Sequence, residues 1–364
     1  MRNTSEPRVW IRRGAGLALA LLFVLVGCRS EPERLRETLL VFGSEANIDV
    51  VGVEPIVAER AIAAAAVELA TMNREWHAWQ ASDLTRINAA FARGEAAEAP
   101  DSVRLLIQRC KPLVLKSGKL FDPGAGGLIE LWGFHTDRYP ITTPPPDDAT
   151  LDAWLTQAPS LLDVSIDGTQ VRSRNPAVQL DFGAMGEGAA AERVGAVLQA
   201  HRINDALISL GGDLLALGRN GDAPWQVAVR DPFAGPDSVL ASIELDDGEA
   251  LFTSGNYNRY RLSQSGERWA HIVNPRTGRP VSGVAQSLVL HRDPVLADVA
   301  ATALMVGGPA RFSELLNRLG IHCAMLLTEQ DELIITQALA PRVGWLRQPA
   351  RLGPPLGAAT SCDG

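Results

Sequence analysis

The chain has 364 residues, a formal net charge of −8 and hydrophobic side chains at 46% of its positions. That balance argues against nucleic acid as a partner, because a phosphate backbone is gripped by surplus lysine and arginine. A chain of this length and apolar content buries an ample core without disulfide or metal staples.

The first residues set the compartment. Arg2, Arg8, Arg12 and Arg13 precede an apolar run over 15–26, which closes in Leu25-Val26-Gly27-Cys28. The run is too short to span a bilayer, and a cysteine in that context is the lipid acceptor of a lipoprotein signal peptide. The expectation is a signal peptide over 1–27, lipid on Cys28, a charged tether over 28–37, an exported domain over 38–340, and a loosely docked Pro/Gly/Arg-rich tail over 341–364. Cleavage removes four arginines and one glutamate and leaves a net charge of −11. Cys110, Cys323 and Cys362 leave room for one disulfide, but their number and scatter do not make a disulfide framework or a zinc site.

Residues 39–42 and 48–53 read as strands around a turn at Gly43-Ser44. From Pro55 an alanine-rich run of good helix formers, with proline in its first turn, predicts a helix to Trp76. A second helix covers 101–117. Residues 139–150, with prolines at 144–146, form an exposed connection and a candidate lobe boundary. Residues 178–182 alternate as a strand does, 183–188 are a loop of small residues, and 189–200 a helix. A strand over 206–210 then runs into Gly211-Gly212-Asp213. The glycine order excludes the dinucleotide fingerprint, and no phosphate-binding P-loop motif occurs. Further strands lie between 225 and 270, and another over 286–291. Asp293-Pro294 starts a helix that stops at Gly307-Gly308, followed by a helix over 310–319 and a strand pair around 322–336. The fold class is α+β, as one large exported domain or two closely joined lobes.

Three stretches carry chemistry. The helix over 294–306 is apolar nearly all round and so belongs in a core; Asp298 is its one charge and needs a partner. Thr302 lies one turn on, on the same face. Two oxygens at that spacing suit a hard cation such as magnesium; an arginine for Asp298 and a helix carbonyl for Thr302 would satisfy them as well. The loop over 183–188 opens a helix, where free amides attract anions, and Asp181 stands just before it as an acceptor for a ribityl, ribose or base edge. The decapeptide His271-Ile-Val-Asn-Pro-Arg-Thr-Gly-Arg-Pro280 is a rigid polar loop carrying His271 and the guanidinium groups of Arg276 and Arg279. The remaining histidines stand in no ligand spacing and read as surface or structural. There is no nucleophile elbow and no HExxH.

Taken in order, these stretches resemble the ApbE family of FAD:protein FMN transferases over nearly the whole exported domain. Phe42-Gly43-Ser44 is similar to its Met-Gly-Thr element, and Trp79 through Asn88 to its Tyr-x-x-x-Ser-x-Leu-x-Arg-x-Asn pattern with one residue fewer. Leu120-Phe121-Asp122 and Leu131-Trp132-Gly133-Phe134 follow, then Leu180 through Gly188, Gly211-Gly212-Asp213, Thr253-Ser254-Gly255, the decapeptide, and Ala297-Asp298-x-x-x-Thr302.

The resemblance implies binding of FAD, magnesium on its pyrophosphate, and transfer of FMN to a threonine or serine hydroxyl of a partner flavoprotein, such as a redox-pump subunit, with release of AMP. It implies Ala184 (backbone carbonyl), Asp298 and Thr302 as metal ligands. Phe42, Trp79, Leu120, Phe121, Asp122, Asp181, Glu187 and Ile272 would line the FAD site. His271 is the candidate for contacting the phosphate or accepting the hydroxyl proton. An inner-membrane anchorage on the periplasmic face goes with the family. An FAD pyrophosphatase and a non-catalytic flavin-binding lipoprotein are the rival readings.

Overall fold

The computed structural model describes residues 33–263, 266 and 268–363. The signal peptide, Cys28 and the first part of the tether lie outside the described residues. Residues 33–364 form one compact unit rather than two lobes.

Its frame is a nine-stranded sheet whose spatial order follows the chain: β1 (Arg34–Val41), β2 (Ser44–Val51), β3 (Ala206–Leu210), β4 (Asp213–Leu217), β5 (Ala250–Gly255), β6 (Val284–His291), β7 (Cys323–Thr328), β8 (Glu332–Ile335) and β9 (Arg351–Leu352). Neighbours are antiparallel except β8 and β9. Side chains alternate between two cores, as the strand period of two requires. In β4, Leu215 and Leu217 join the larger core, whereas Leu214 and Ala216 join the smaller. The same split separates Phe252 from Leu251 and Val289 from Leu288 and Leu290.

Helices cover the first face. The long β2–β3 connection carries α1 (Pro55–Trp76), α2 (Asp83–Ala92), α3 (Asp101–Lys116), α4 (Gly126–Leu131), α5 (Asp148–Gln157) and α6 (Gly186–Ala200); α7 (Pro294–Leu319) follows β6. In α1, Ala58, Ala61, Ala65, Leu69, Met72 and Trp76 recur at helical spacing and are buried. Asp293 caps α7 by accepting the Leu296 N–H at 3.0 Å, with Pro294 next. The predicted stop at Gly307-Gly308 is a kink: Gly308 has φ 62° and ψ −171°, and helix resumes beyond it. A three-stranded sheet of Val343–Trp345, Val239–Leu245 and Trp225–Arg230 covers the other face.

Several boundaries differ from expectation. The tether is partly strand, because β1 begins at Arg34 and pairs along its length with β2. The tail is held, not loose. Val343–Trp345 and β9 both enter sheets, Cys323 and Cys362 form a disulfide, and Arg347 pairs with both Asp231 and Asp331. Cys110 is free and buried. The exposed connection over 139–150 ends in the N-cap of α5, where Asp147 accepts the Thr150 N–H at 2.7 Å. The strand expected over 178–182 is reduced to one bridge, Gln179 with Ala125. There the Asn88 carboxamide takes a strand neighbour's place, donating to the Leu180 carbonyl at 2.9 Å and accepting its N–H at 2.7 Å.

Candidate functional site

A cavity of about 740 Å³ opens where the ends of β4, β5 and β6, the first turn of α6, α7 and the decapeptide meet. Its lining includes Trp79, Leu120, Phe121, Asp122, Asp181, Ala184, Glu187, His271, Ile272, Asp298 and Thr302. The fold therefore gathers every predicted FAD, metal and catalytic position but Phe42. Phe42 sits at positive φ in the β1–β2 turn, and its ring stacks on Trp76 at 6.3 Å. It lines a neighbouring hollow with His77 and Asp137.

The helix wall is acidic. Asp298 and Asp213 are buried and Glu187 is half-buried. Asp298 accepts the Gly188 N–H at 2.9 Å, so its partner is a backbone amide of α6 and not the arginine held open by the sequence. Gly188 is what allows the approach: a Cβ there would lie 2.5 Å from the Pro294 carbonyl oxygen and 3.0 Å from the Asp298 Cβ. Burial pushes the Asp298 carboxyl well above the usual range, and the Glu187 charge pushes it further. Burial, then Glu187 and Asp298, raise Asp213 likewise. Burial also raises Glu187, which shares a side-chain hydrogen bond with Asp213. Each carboxyl in that arrangement makes it harder for the other to ionise.

Thr302 does not simply bond back along its helix. Its hydroxyl lies 3.3 Å from the Ser254 hydroxyl on β5. Asp298, Thr302 and Ala184 line one cavity, where a carboxylate, a hydroxyl and a backbone carbonyl would make a hard-oxygen set of the kind magnesium takes while keeping waters and phosphate in its shell. Among the described residues no three His, Cys, Asp or Glu side chains converge on one point as a ready cation cage. The donor set is a mixed one.

Another wall is aromatic. Trp79 stacks on His135 at 5.2 Å with planes 17° apart, and His135 Nε2 meets Asp181 Oδ2 at 3.0 Å. The other Asp181 oxygen accepts the Gly183 N–H at 2.8 Å, so Asp181 ties the aromatic wall to the α6 entry loop. His135, read as structural from sequence, orients two predicted site residues. Asp122 is largely committed to the fold: one oxygen accepts from Gly124 and Leu161 amides at 2.9 and 2.8 Å, the other from the Ser160 hydroxyl at 2.5 Å. It shapes the cavity wall around Leu120 and Phe121.

The decapeptide is a hairpin and also a wall. Val273–Asn274 pairs with Arg279–Pro280, while His271, Ile272, Val273 and Pro275 face the cavity. Its guanidinium groups do not. Arg276 is exposed, and Arg279 reaches outward to Asp148 at 2.5 Å. His271 Nδ1 lies 3.2 Å from the Arg259 carbonyl oxygen. A carbonyl only accepts, so Nδ1 carries the proton and Nε2 keeps its lone pair. Burial, helped by the Arg259 charge, pushes the imidazole down to about 4, so it is neutral at physiological pH.

Residues 42–326 match the family model described as the ApbE family. This chain belongs to the ApbE family. A Rhodobacter capsulatus FAD:protein FMN transferase is 39% identical over 350 residues, 94% of this chain. The chain spans 65% of that relative's length. One from Klebsiella pneumoniae is 30% identical over 78% of this chain and 82% of its own. Among solved structures, the Pseudomonas stutzeri flavinyl transferase ApbE in its apo form has a TM-score of 0.73 at 27% identity, covering 86% of this chain and 99% of its own. The ApbE protein of Thermotoga maritima reaches a TM-score of 0.77 at 24% identity, over 85% and 99%, and shows the shared fold.

In this ApbE-family cavity, sequence reading missed Arg230, Tyr257, Asn258, Arg259 and Gln286. They come from strand ends and loops, where no short pattern announces a shared wall. Asp213 and Ser254 lay inside quoted motifs, but their coupling to Glu187 and Thr302 arises only from sheet pairing.

Proposed function

We propose that this chain is a magnesium-dependent FAD:protein FMN transferase, moving FMN from FAD onto a threonine or serine hydroxyl of a partner flavoprotein. The observation that most supports it is one cavity with the Asp298–Thr302–Ala184 oxygens on one wall and a neutral, tautomerically fixed His271 on another. The names of the relatives point the same way.

In this reading the acceptor oxygen attacks the phosphorus of the FMN half, the pyrophosphate bond breaks, and AMP leaves with the bridging oxygen. Magnesium, held by Asp298, Thr302 and the Ala184 carbonyl, would neutralise charge on the pyrophosphate. Nε2 of His271 accepts the hydroxyl proton, and the Arg259 carbonyl keeps the ring in the tautomer that can do so. Trp79, backed by His135, offers a flat face to a flavin or adenine ring. Leu120, Phe121 and Ile272 exclude water beside it.

The test is incubation with FAD, magnesium and a candidate acceptor. In-gel flavin fluorescence on the acceptor with AMP release is the expected result. Free FMN and AMP would mean that water replaces the hydroxyl, and no AMP would mean a binding protein. The N-terminal pattern supports export and a lipid on Cys28, holding the domain at the periplasmic face of the inner membrane. Cys28→Ser should then abolish incorporation of labelled fatty acid into the protein; unchanged labelling would rule out that anchor.

A further inference from the structure

The cavity presents a charge problem that its acids and hairpin do not solve. Glu187, Asp213, Asp298 and Asp181 all line it, and a dinucleotide pyrophosphate brings further negative charge. The guanidinium groups of the decapeptide, Arg276 and Arg279, are exposed and turned away from it. The arginines that do line the cavity are Arg230 and Arg259. Arg230 is turned onto its own neighbours, 4.5 Å over the Tyr257 ring and 2.7 Å from the Asn258 carboxamide oxygen. Arg259 is half-buried, lines the cavity and, among the described residues, makes no ion pair with a carboxylate.

Resting on the transferase reading, we propose that Arg259 is the pyrophosphate-binding cation of this cavity, its guanidinium receiving the phosphates between the His271 wall and the acidic wall. Its two ends then have separate tasks. The main-chain carbonyl accepts from His271 Nδ1 and fixes the tautomer, and the His271 N–H also reaches that carbonyl at 3.1 Å. The side chain is left to the substrate. A planar fork of donors matches phosphate oxygens better than an ammonium does, so arginine and lysine are not equivalent here. Because the imidazole is held by backbone, substituting the side chain separates anion binding from base orientation.

The experiment is equilibrium binding to the full chain, followed by intrinsic and flavin fluorescence, of FAD, ADP and riboflavin in magnesium buffer. Arg259→Gln should weaken FAD and ADP by about tenfold or more, the usual worth of a charge-assisted hydrogen bond, and leave riboflavin within about twofold. Arg259→Lys should recover part of the loss. The ¹⁵N spectrum of His271 should keep the Nδ1-protonated form in both variants. FAD and ADP affinities within twofold of wild type would overturn the assignment. So would an equal fall for riboflavin, or a switch of the His271 tautomer, since either would mean that the residue only shapes the site. If wild type binds all three ligands but labels no acceptor, the transfer reading fails and the binding comparison still decides the role of Arg259.

Discussion

Two of the cavity's walls are built differently. The acidic wall rests on regular elements: α7 presents Asp298 and Thr302 one turn apart, and the first turn of α6 supplies Glu187 and the Gly188 amide. A second wall is assembled from strand ends and loops, with Arg230, Tyr257, Arg259 and His271 gathered from segments that only sheet pairing brings together. A helix fixes side chains relative to one another through its own hydrogen bonds, so its geometry is local. A loop wall borrows its geometry from the sheet below. The first wall should therefore tolerate loss of a side chain without losing its shape, while the second depends on distant supports.

The largest effect is expected at Asp298. Asp298→Ala should lower FMN transfer on the order of a thousandfold or more, while the melting temperature of the metal-free protein holds or rises. Removing a buried carboxylate relieves repulsion with Glu187 and Asp213. Transfer near the wild-type rate in magnesium buffer would break the metal assignment and, with it, the contrast between the walls.

His271→Gln comes next, with transfer falling about 10²- to 10⁴-fold if the imidazole is the base and FAD affinity little changed. Its pH signature is separate. The folded imidazole titrates near 4 and an unfolded one near 6.5. A depressed folded value contributes stability that is complete above pH 6.5 and is lost as pH falls toward 4. Wild type should thus lose stability over that window more steeply than His271→Gln, and its transfer should show no histidine limb near pH 6.5. A limb at 6.5 in kcat would mean that the ring is not held neutral by its surroundings.

How far each wall was legible follows from the same contrast. The Asp298-to-Thr302 spacing and the Asp293-Pro294 start are local signals that α7 obeys, while the stop read at Gly307-Gly308 is a kink beyond which the helix resumes. Gly183 through Gly188 was legible as a loop opening a helix, though α6 begins at Gly186. The strand expected over 178–182 failed because alternation alone does not supply a neighbour, and Asn88 satisfies that backbone instead. α2 went unseen because its capping box pairs Ser82 with Thr85 and lacks the acid or amide that usually marks one. Arg276 and Arg279 share the decapeptide with His271, but sequence proximity says nothing about which side of a hairpin a side chain takes, and both lie on the outer side. Arg259, also near in sequence, carried no turn or spacing signal.

A stability effect on the sheet side sharpens the dependence on distant supports. Cys323 lies in the smaller core at the start of β7, and its disulfide to Cys362 closes a chain separation of 39 residues, holding the tail beside the Arg342–Glu249 pair. Cys362→Ser should cost about 3–4 kcal/mol by loop-closure entropy, read as a shift of the urea midpoint. An unchanged midpoint would mean that the strand pairings and arginine bridges hold the tail unaided.

The smallest effect tests whether the helix wall is set by contact or by backbone freedom, using two glycines of one turn. A Cβ at Gly188 would press into the Pro294 carbonyl and the Asp298 Cβ, whereas a Cβ at Gly186 meets nothing within 4 Å. Neither glycine has a positive φ, so strain from the left-handed region does not enter. Gly188→Ala must push α6 from α7, with a cost of about 1–3 kcal/mol from overpacking, and must lengthen the Gly188 N–H bond to Asp298. Gly186→Ala should change stability by less than about 1 kcal/mol, and in the favourable direction, because alanine loses less backbone entropy on entering a helix. Equal effects at both positions would mean that the two helices are not in the close contact that holds Asp298 in the cavity.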